Sequence, residues 1–294
     1  MEKIYLKLFN FLEIGDDFPT IIMGVLNLSP ESFYKGSVYT NQKVLKKAVL
    51  NMIANGAKIL DLGARSTAPW SPKISIDEEL KRIVPALETV CKIIPDNIVI
   101  SIDTQFRKVA EKSFEITQKY EKHAIINDVS CFKVDQELSN YVVDNKIPVI
   151  LMASKKVLGD LLTIPEIVEE FKKTINELKL KNYDIKNIIL DPGIGHWIEE
   201  KTHVYDLKII ANLKQLRELK LPILVAISRK SFIGKTLNIP DPEKRLNGTL
   251  SATAIAVYNG AHIVRTHDVT PQLNEFLKMA EEIRKSKYFL CKEI

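Results

Sequence analysis

The chain has 294 residues, of which 46% are hydrophobic, and carries a formal net charge of +5. That length can bury a sizeable core, and the mild charge, spread along helix-like segments without a basic run and interleaved aromatics, argues against a nucleic-acid partner. Three cysteines, Cys91, Cys131 and Cys291, stand far apart with no C-x-x-C spacing, which argues against a disulfide framework and a zinc cluster and points to a reducing compartment.

No apolar stretch approaches bilayer length, and the first residues lack a basic region followed by a sustained apolar run. Neither a membrane partner nor a secretory signal is therefore expected, and the cytoplasm is the predicted location. Residues 4–14 alternate apolar and polar positions and predict a short strand or hairpin covering one end of the main fold. Ile21–Asn27 is an apolar run stopped by the turn chemistry of Ser29, Pro30, Glu31 and Ser32, which reads as a buried strand opening into a polar loop. A helix follows over 41–55, with Val44, Leu45, Ala48, Met52 and Ile53 on helical spacing and Gly56 as its stop. The second strand is 57–62. Ser75 and Glu78 resemble a capping box that opens a helix running toward Ile94. Strands at 97–103, 124–128 and 147–152 come next, with a helix starting at about Thr104. A long helix over 165–180 precedes a sixth strand at 187–191, and a helix over 203–219 precedes the seventh at 221–227. The eighth, 261–265, is followed by a closing helix over 271–284.

Short β-branched-rich strands alternating with helices predict an α/β fold with a parallel sheet buried on both faces. Eight is the number that closes a (β/α)8 TIM barrel, preferred here to a doubly wound sheet. With no composition break and no low-complexity linker, residues 1–294 read as one domain, residues 1–18 being an N-terminal extension.

The last residues of these strands are Asn27, Asp61, Asp103, Asn127-Asp128, Met152, Asp191, Ser228-Arg229-Lys230 and Arg265-Thr266-His267-Asp268. A buried sheet has no structural need for so many polar ends, and in a barrel they converge on the C-terminal face, where active sites are built. Asp103, Asn127 and Asp191 offer acceptors and one amide, a set suited to a flat heterocycle with adjacent N–H donors. Carboxylates facing such donors are expected to stay ionised. On an opposite arc, Lys230, Arg265 and His267, with the hydroxyls of Ser228 and Thr67, suit an anion with several oxygens such as pyrophosphate. Asn27 and Glu31 could hold Mg²⁺ against those oxygens. Together these features imply displacement of a diphosphate leaving group. His123, His203 and His262 form no spaced metal set, Trp70 and Trp197 read as packing or as a stack for an aryl ring, and Arg245 reads as a clamp on its own loop.

The segments MGVLNLSPESF (23–33), GAKILDLGARSTAP (56–69), SIDT (101–104), IINDVS (125–130), ILDPGIG (189–195), SRKSFIG (228–234), RLNGTLSA (245–252) and IVRTHDV (263–269) resemble, in this order, the dihydropteroate synthase family. The resemblance implies a barrel that joins 6-hydroxymethyl-dihydropterin diphosphate to 4-aminobenzoate and releases pyrophosphate. It implies that Asp103, Asn127, Asp191 and Lys230 hold the pterin, that Asn27, Arg265 and His267 hold the pyrophosphate with Mg²⁺, and that Thr67 and Ser228 flank the arylamine path. Met152 joins the substrate-binding set, Lys230, Asp103 and Asp191 are expected to be catalytic, residues 29–37 would form a lid, and a homodimer is implied by analogy.

The chain departs from the family pattern in three loops. Gly63-Ala64-Arg65-Ser66-Thr67-Ala68-Pro69-Trp70 stands where the family has G-G-E-S-T-R-P-G, Met152-Ala153 where it has Met-His, and His196-Trp197-Ile198 where it has Phe-Gly-Lys. Ser29-Pro30-Glu31 also replaces Thr-Pro-Asp. These changes suggest an alternative acceptor, a ribosylated aminobenzene phosphate as in methanopterin-type cofactors, met by Arg65, Lys155 and Lys156. Two further readings are a methyl-tetrahydropterin–corrinoid methyltransferase, which has no use for the pyrophosphate cluster, and a non-catalytic pterin-binding protein.

Overall fold

Only alternate residues of a β-strand face one side of a sheet, so a closed barrel needs each strand to be apolar on both faces and lets its inward set change character along the axis. The computed structural model, which describes residues 3–30, 39, 41–68, 71–195 and 197–286, has this construction. Glu31 and the rest of the predicted lid to Ser37, and also Trp70, His196 and Cys291, lie outside the described residues. After a hairpin, β1 (Tyr5–Leu8) and β2 (Leu12–Gly15), come the barrel strands β3 (Ile21–Asn27), β4 (Ala57–Gly63), β5 (Val99–Asp103), β6 (Ala124–Asp128), β7 (Val149–Met152), β8 (Ile188–Asp191), β9 (Leu224–Ala226) and β10 (Ile263–Thr266). All pair in parallel in the order β8-β7-β6-β5-β4-β3-β10-β9, and a single bridge between Leu190 and Ile223 joins the two ends. The predicted barrel is present.

Between the strands lie α1 (Gln42–Ala54), α2 (Ile76–Cys91), α3 (Arg107–Lys119), α4 (Gln136–Asp144), α5 (Ile164–Leu180), α6 (His203–Ala211), α7 (Ser231–Leu237) and α8 (Leu246–Tyr258), with α9 (Pro271–Ser286) after β10. The helix expected over 203–219 breaks at Asn212, whose side chain donates to Lys208 O at 2.9 Å, and continues as 3₁₀ helix over Leu213–Leu219. The strand expected over 221–227 is shorter because Pro222 has no N–H; its carbonyl instead accepts from Leu190 N–H at 2.9 Å. Among the described residues no helix is long and apolar enough to cross a membrane.

The core has two layers. Outward residues such as Leu60, Ile102, Ile126 and Leu151 pack against the helices, while Ile59, Val99, Ile125, Ile150, Ile189, Leu224 and Ile263 fill the barrel's lower interior with Leu6, Leu8, Leu12 and Ile14 of the hairpin. The hairpin is thus the barrel's floor, as its alternation predicted. It is held from below by Asp16, which accepts from Arg217 at 2.7 Å through each oxygen and from Ile4 N–H at 2.8 Å, with His262 Nε2 3.4 Å away. Burial opposes the charge on Asp16, but hydrogen bonds from Arg217, His262 and Ile4 outweigh it and hold the carboxyl well below the usual range.

Asp16→Ala is expected to destabilise the fold by about 3 kcal/mol, because it leaves Arg217 without its counter-charge. The folded-state pKa is depressed, so the stabilisation is present above the unfolded value and lost as pH falls below about 4. Urea melts from pH 7 to pH 3 check this: the wild type should lose more stability over that range than Asp16→Asn.

Candidate active site

Above the apolar floor the inward positions turn polar, and they enclose a cavity of about 330 Å³ at the C-terminal ends of the strands. Of the predicted site residues, Asn27, Thr67, Asp103, Asn127, Met152, Asp191, Lys230, Arg265 and His267 line it. Ser228 does not. It is buried one layer behind, accepting from His267 N–H at 3.2 Å with His267 Nδ1 3.0 Å from its hydroxyl, so it supports the imidazole and does not wall the cavity. The aligned register puts Gly63, Asp103 and Asn127 at one level of β4, β5 and β6. A Cβ at Gly63 would come 3.2 Å from Asp103 Oδ2, so glycine leaves that carboxylate its space.

Arg265 corrects the sketch of two separate arcs. Its Nε donates to Asp61 Oδ2 at 2.6 Å and its Nη2 to Asp103 Oδ2 at 2.8 Å, which places the strongest cation among the acceptors. Burial opposes the guanidinium's charge, but Asp61 and Asp103 outweigh it and raise the group further. Asp103 responds the other way: burial and the neighbouring Asp61 push it up to about 8 against the pull of Arg265. Burial and Asp61 thus oppose the charge that N–H donors facing Asp103 would favour. Asp191, likewise raised by burial against the pull of Lys230, accepts from Gly193 N–H at 2.8 Å.

Lys230 is the N-cap of α7, and its amine donates to the Ile194 carbonyl and lies 5.4 Å from the centre of the Trp197 ring. Burial, only partly offset by Asp191, lowers the amine to about 8. Gly195 has φ 135°, and a Cβ there would come 3.2 Å from Lys230 Nζ, so this backbone both needs glycine and lets the lysine pass. Burial, with Arg265, Arg229 and Lys230 nearby, pushes His267 down to about 3, so it faces the cavity as a neutral ring.

Some strand-end groups are structural. Asp128 accepts from Ser130 N–H, Ser130 Oγ and Phe132 N–H at 2.6–2.7 Å, tying the turn where Cys131 and Phe132 take positive φ. Arg229 grips Asp268 through two bonds of 2.7 and 2.8 Å and the carbonyls of Pro242 and Glu243. Arg245 donates to the carbonyls of Ile239, Pro240 and Arg229, the predicted loop clamp, while also lining the cavity.

The trio read as an extra phosphate site is not assembled. Arg65 borders the cavity, but its guanidinium is held by fully buried Glu79 at 2.6 Å and by Ile74 O at 2.6 Å, while Lys155 and Lys156 are exposed and do not line the cavity. The physical reason is Glu79, which already accepts from Thr104 Oγ1 at 2.7 Å and would be an uncompensated buried charge without Arg65.

Sequence reasoning placed Asp61 among the strand ends without giving it a role, and missed Ser101, Glu79 and Lys201. Lys201 is fully buried beneath the D-P-G-I-G loop, donating to Gly193 O at 2.6 Å with Asp206 3.8 Å away. Asp61 shares the inward parity of Ile59 and Gly63 on β4, and that count of two would have aimed it at Arg265.

A barrel whose polar mouth surrounds one cavity in this way has the architecture of a barrel enzyme, and the chain belongs to the family of pterin-binding enzymes, whose model matches residues 23–267. Within that family its relatives are dihydropteroate synthases, transferases of folate biosynthesis. The chain is 38% identical to dihydropteroate synthase of Clostridium beijerinckii, over 91% of this chain and 94% of that one. It is also similar to the dihydropteroate synthase of Coxiella burnetii in complex with pteroic acid, with a TM-score of 0.82 and 31% identity over 96% of this chain and 98% of that one. The Xanthomonas albilineans enzyme with 4-aminobenzoic acid matches with a TM-score of 0.81 and 26% identity, covering 96% and 99% of the two chains.

Proposed function

We propose that this protein condenses 6-hydroxymethyl-7,8-dihydropterin diphosphate with 4-aminobenzoate and releases pyrophosphate. The observation that carries this reading is the acceptor-rich wall of Asp103, Asn127 and Asp191 beside Lys230, in which Asn127 Oδ1 is buried without a hydrogen-bond partner among the described residues. A buried acceptor of this kind calls for a donor from a ligand.

In the reaction the exocyclic C–O bond to the diphosphate breaks, the arylamine nitrogen forms the new C–N bond, and the amine loses a proton. No side chain need act as nucleophile. Asp103, Asn127 and Asp191 orient the pterin edge, and their negative potential eases positive charge at the reacting methylene. Arg265 sits between that edge and the leaving group, His267 offers a neutral ring, and Thr67 borders the acceptor's path.

Among the described residues no group of three or more His, Cys, Asp or Glu side chains could cage a metal. Mg²⁺ asks for less, taking one or two protein oxygens and completing its shell with water and phosphate, so the carboxamide of Asn27 on the cavity wall fits such an ion. When bound it would neutralise charge developing on the diphosphate. The family uses a divalent metal, and Mg²⁺ is the choice this donor set favours.

The same reading keeps residues 1–294 as one barrel domain, since the hairpin's side chains fill the barrel interior. It keeps the enzyme in the cytoplasm, with Cys91 and Cys131 as free buried thiols. A homodimer would cover the apolar face that α8 and α9 leave exposed at Ile255, Phe276, Met279 and Ile283.

The test is amine-dependent pyrophosphate release from the pterin diphosphate with Mg²⁺, run with 4-aminobenzoate and with the ribosylated aminobenzene phosphate. Turnover with 4-aminobenzoate, lost on chelation by EDTA, is expected; release with neither amine overturns the assignment. The pH dependence of pterin binding is a separate expectation. Affinity should rise with pH as Asp103 ionises through about 8 and fall beyond it as Lys230, also near 8, loses its proton. Calorimetric titration from pH 6 to pH 10 should therefore give a bell centred near 8, and a flat profile would remove Asp103 and Lys230 from the contact set.

A further inference from the structure

We infer that Asp61, which lines no cavity surface, is the positioning residue that sets the hydrogen-bond pattern offered to the pterin, by fixing both the Asn127 amide and the Arg265 guanidinium. The inference rests on the pterin reading above. Asp61 is fully buried. Its Oδ1 accepts from Ser101 Oγ at 2.6 Å and from Asn127 Nδ2 at 3.3 Å, while its Oδ2 takes Arg265 Nε at 2.6 Å and lies 2.6 Å from Arg265 Nη2.

The chemistry of these partners makes the arrangement directional. A carboxylate paired with arginine can only accept, so the Asn127 amide must turn its NH₂ toward Asp61. Its Oδ1 is then left to the cavity that Asn127 lines, and that atom is the one without a partner. Oriented this way, Asn127 extends the acceptor edge of Asp103 and Asp191, and the matching ligand edge is a row of N–H donors. With the amide reversed, its NH₂ would meet those donors head-on. The same carboxylate holds Arg265 so that Nη2 reaches Asp103 at 2.8 Å.

Ser101 completes the device. Its hydroxyl is the shortest contact to Oδ1 and comes from the neighbouring strand β5, where the parallel register sets Ser101 directly beside Asp61. The orientation of a ligand-touching amide is thus dictated one layer below the ligand.

The test compares wild type, Asp61→Asn and Ser101→Ala by calorimetric titration with the pterin diphosphate and Mg²⁺, with KM for 4-aminobenzoate and a melting temperature for each. Asp61→Asn is isosteric but can donate, so the Asn127 amide is no longer constrained. Pterin affinity should fall about 10- to 100-fold, as for loss of hydrogen bonds to a charged group, while KM for 4-aminobenzoate stays within about twofold. The rising limb of the pH profile should also move to lower pH. Of the charged groups facing Asp103, namely Asp61, Arg265, Glu79 and Asp128, the variant removes one that raises it and leaves the others. Ser101→Ala should shift affinity in the same direction by less, and it keeps the test decisive if Asp61→Asn does not fold. A purely structural role would lower the melting temperature without moving the pH limb or splitting the two substrates. Wild-type binding together with unchanged affinity and pH limb in both variants overturns the inference. Failure of the wild type to bind the pterin diphosphate overturns the functional reading first.

Discussion

Lys230→Met is expected to lower kcat/KM by about 100- to 1000-fold while leaving the melting temperature unchanged or higher. The two halves of this result have one origin. Arg229 takes a left-handed conformation with φ 56° at the strand end, and the following Lys230 caps α7 with its amine under the Ile194 carbonyl and beside Trp197. The cavity disfavours the ammonium, which is why the amine falls to about 8. A folded-state pKa below the ordinary lysine value means the charged amine opposes folding, and an apolar side chain of similar length removes that opposition. It also removes a cation that faces Asp191 on the cavity wall. Steady-state kinetics and a thermal melt of one variant measure both; retained activity would take Lys230 out of the site.

Arg265→Met is expected to behave oppositely in stability. It leaves the fully buried Asp61 without the cation that pairs its Oδ2, and a loss of about 3–5 kcal/mol follows from such an uncompensated charge. Activity should vanish as well, since the same guanidinium lines the cavity and is the proposed contact of the diphosphate. A second substitution, Asp61→Asn, in the Arg265→Met background should restore part of the stability and none of the turnover. Denaturant melts of wild type, single and double variants give the coupling directly. No recovery in the double variant would mean that Asp61 does not depend on Arg265.

These two side chains show what the sequence could and could not disclose. Both stand at strand ends, and β-branched runs with polar terminations were enough to predict a barrel and bring Asp103, Asn127, Asp191, Lys230, Arg265 and His267 to one mouth. Their partners were not legible. Arg265 meets Asp61 across 204 residues of chain, a pairing that no local pattern encodes. Arg65 reads as a cation for an acceptor's phosphate because nothing local marks Glu79, 14 residues later and inside a helix, as its buried partner. Asp128 had the same signature as Asp103 but serves its own turn. Helix α8 escaped notice because its apolar residues lie on several sides, buried at Leu250 and Ala256 and exposed at Ile255, so 3.6-residue periodicity is weak.

The barrel closes through a single bridge, Leu190 to Ile223, where every other pair of neighbouring strands shares three or more register partners. That seam lies directly under Asp191, at the end of β8, and Lys230, just past β9. The cylinder therefore has its fewest backbone links beneath two of its proposed pterin contacts. A ligand held by both becomes a staple across this seam, adding from its own ring to the cross-links that the backbone provides more densely elsewhere. Amide hydrogens near Ile223 should exchange with solvent fastest among the barrel strands and slow most when the pterin is bound, so that occupancy completes the cylinder as well as the chemistry.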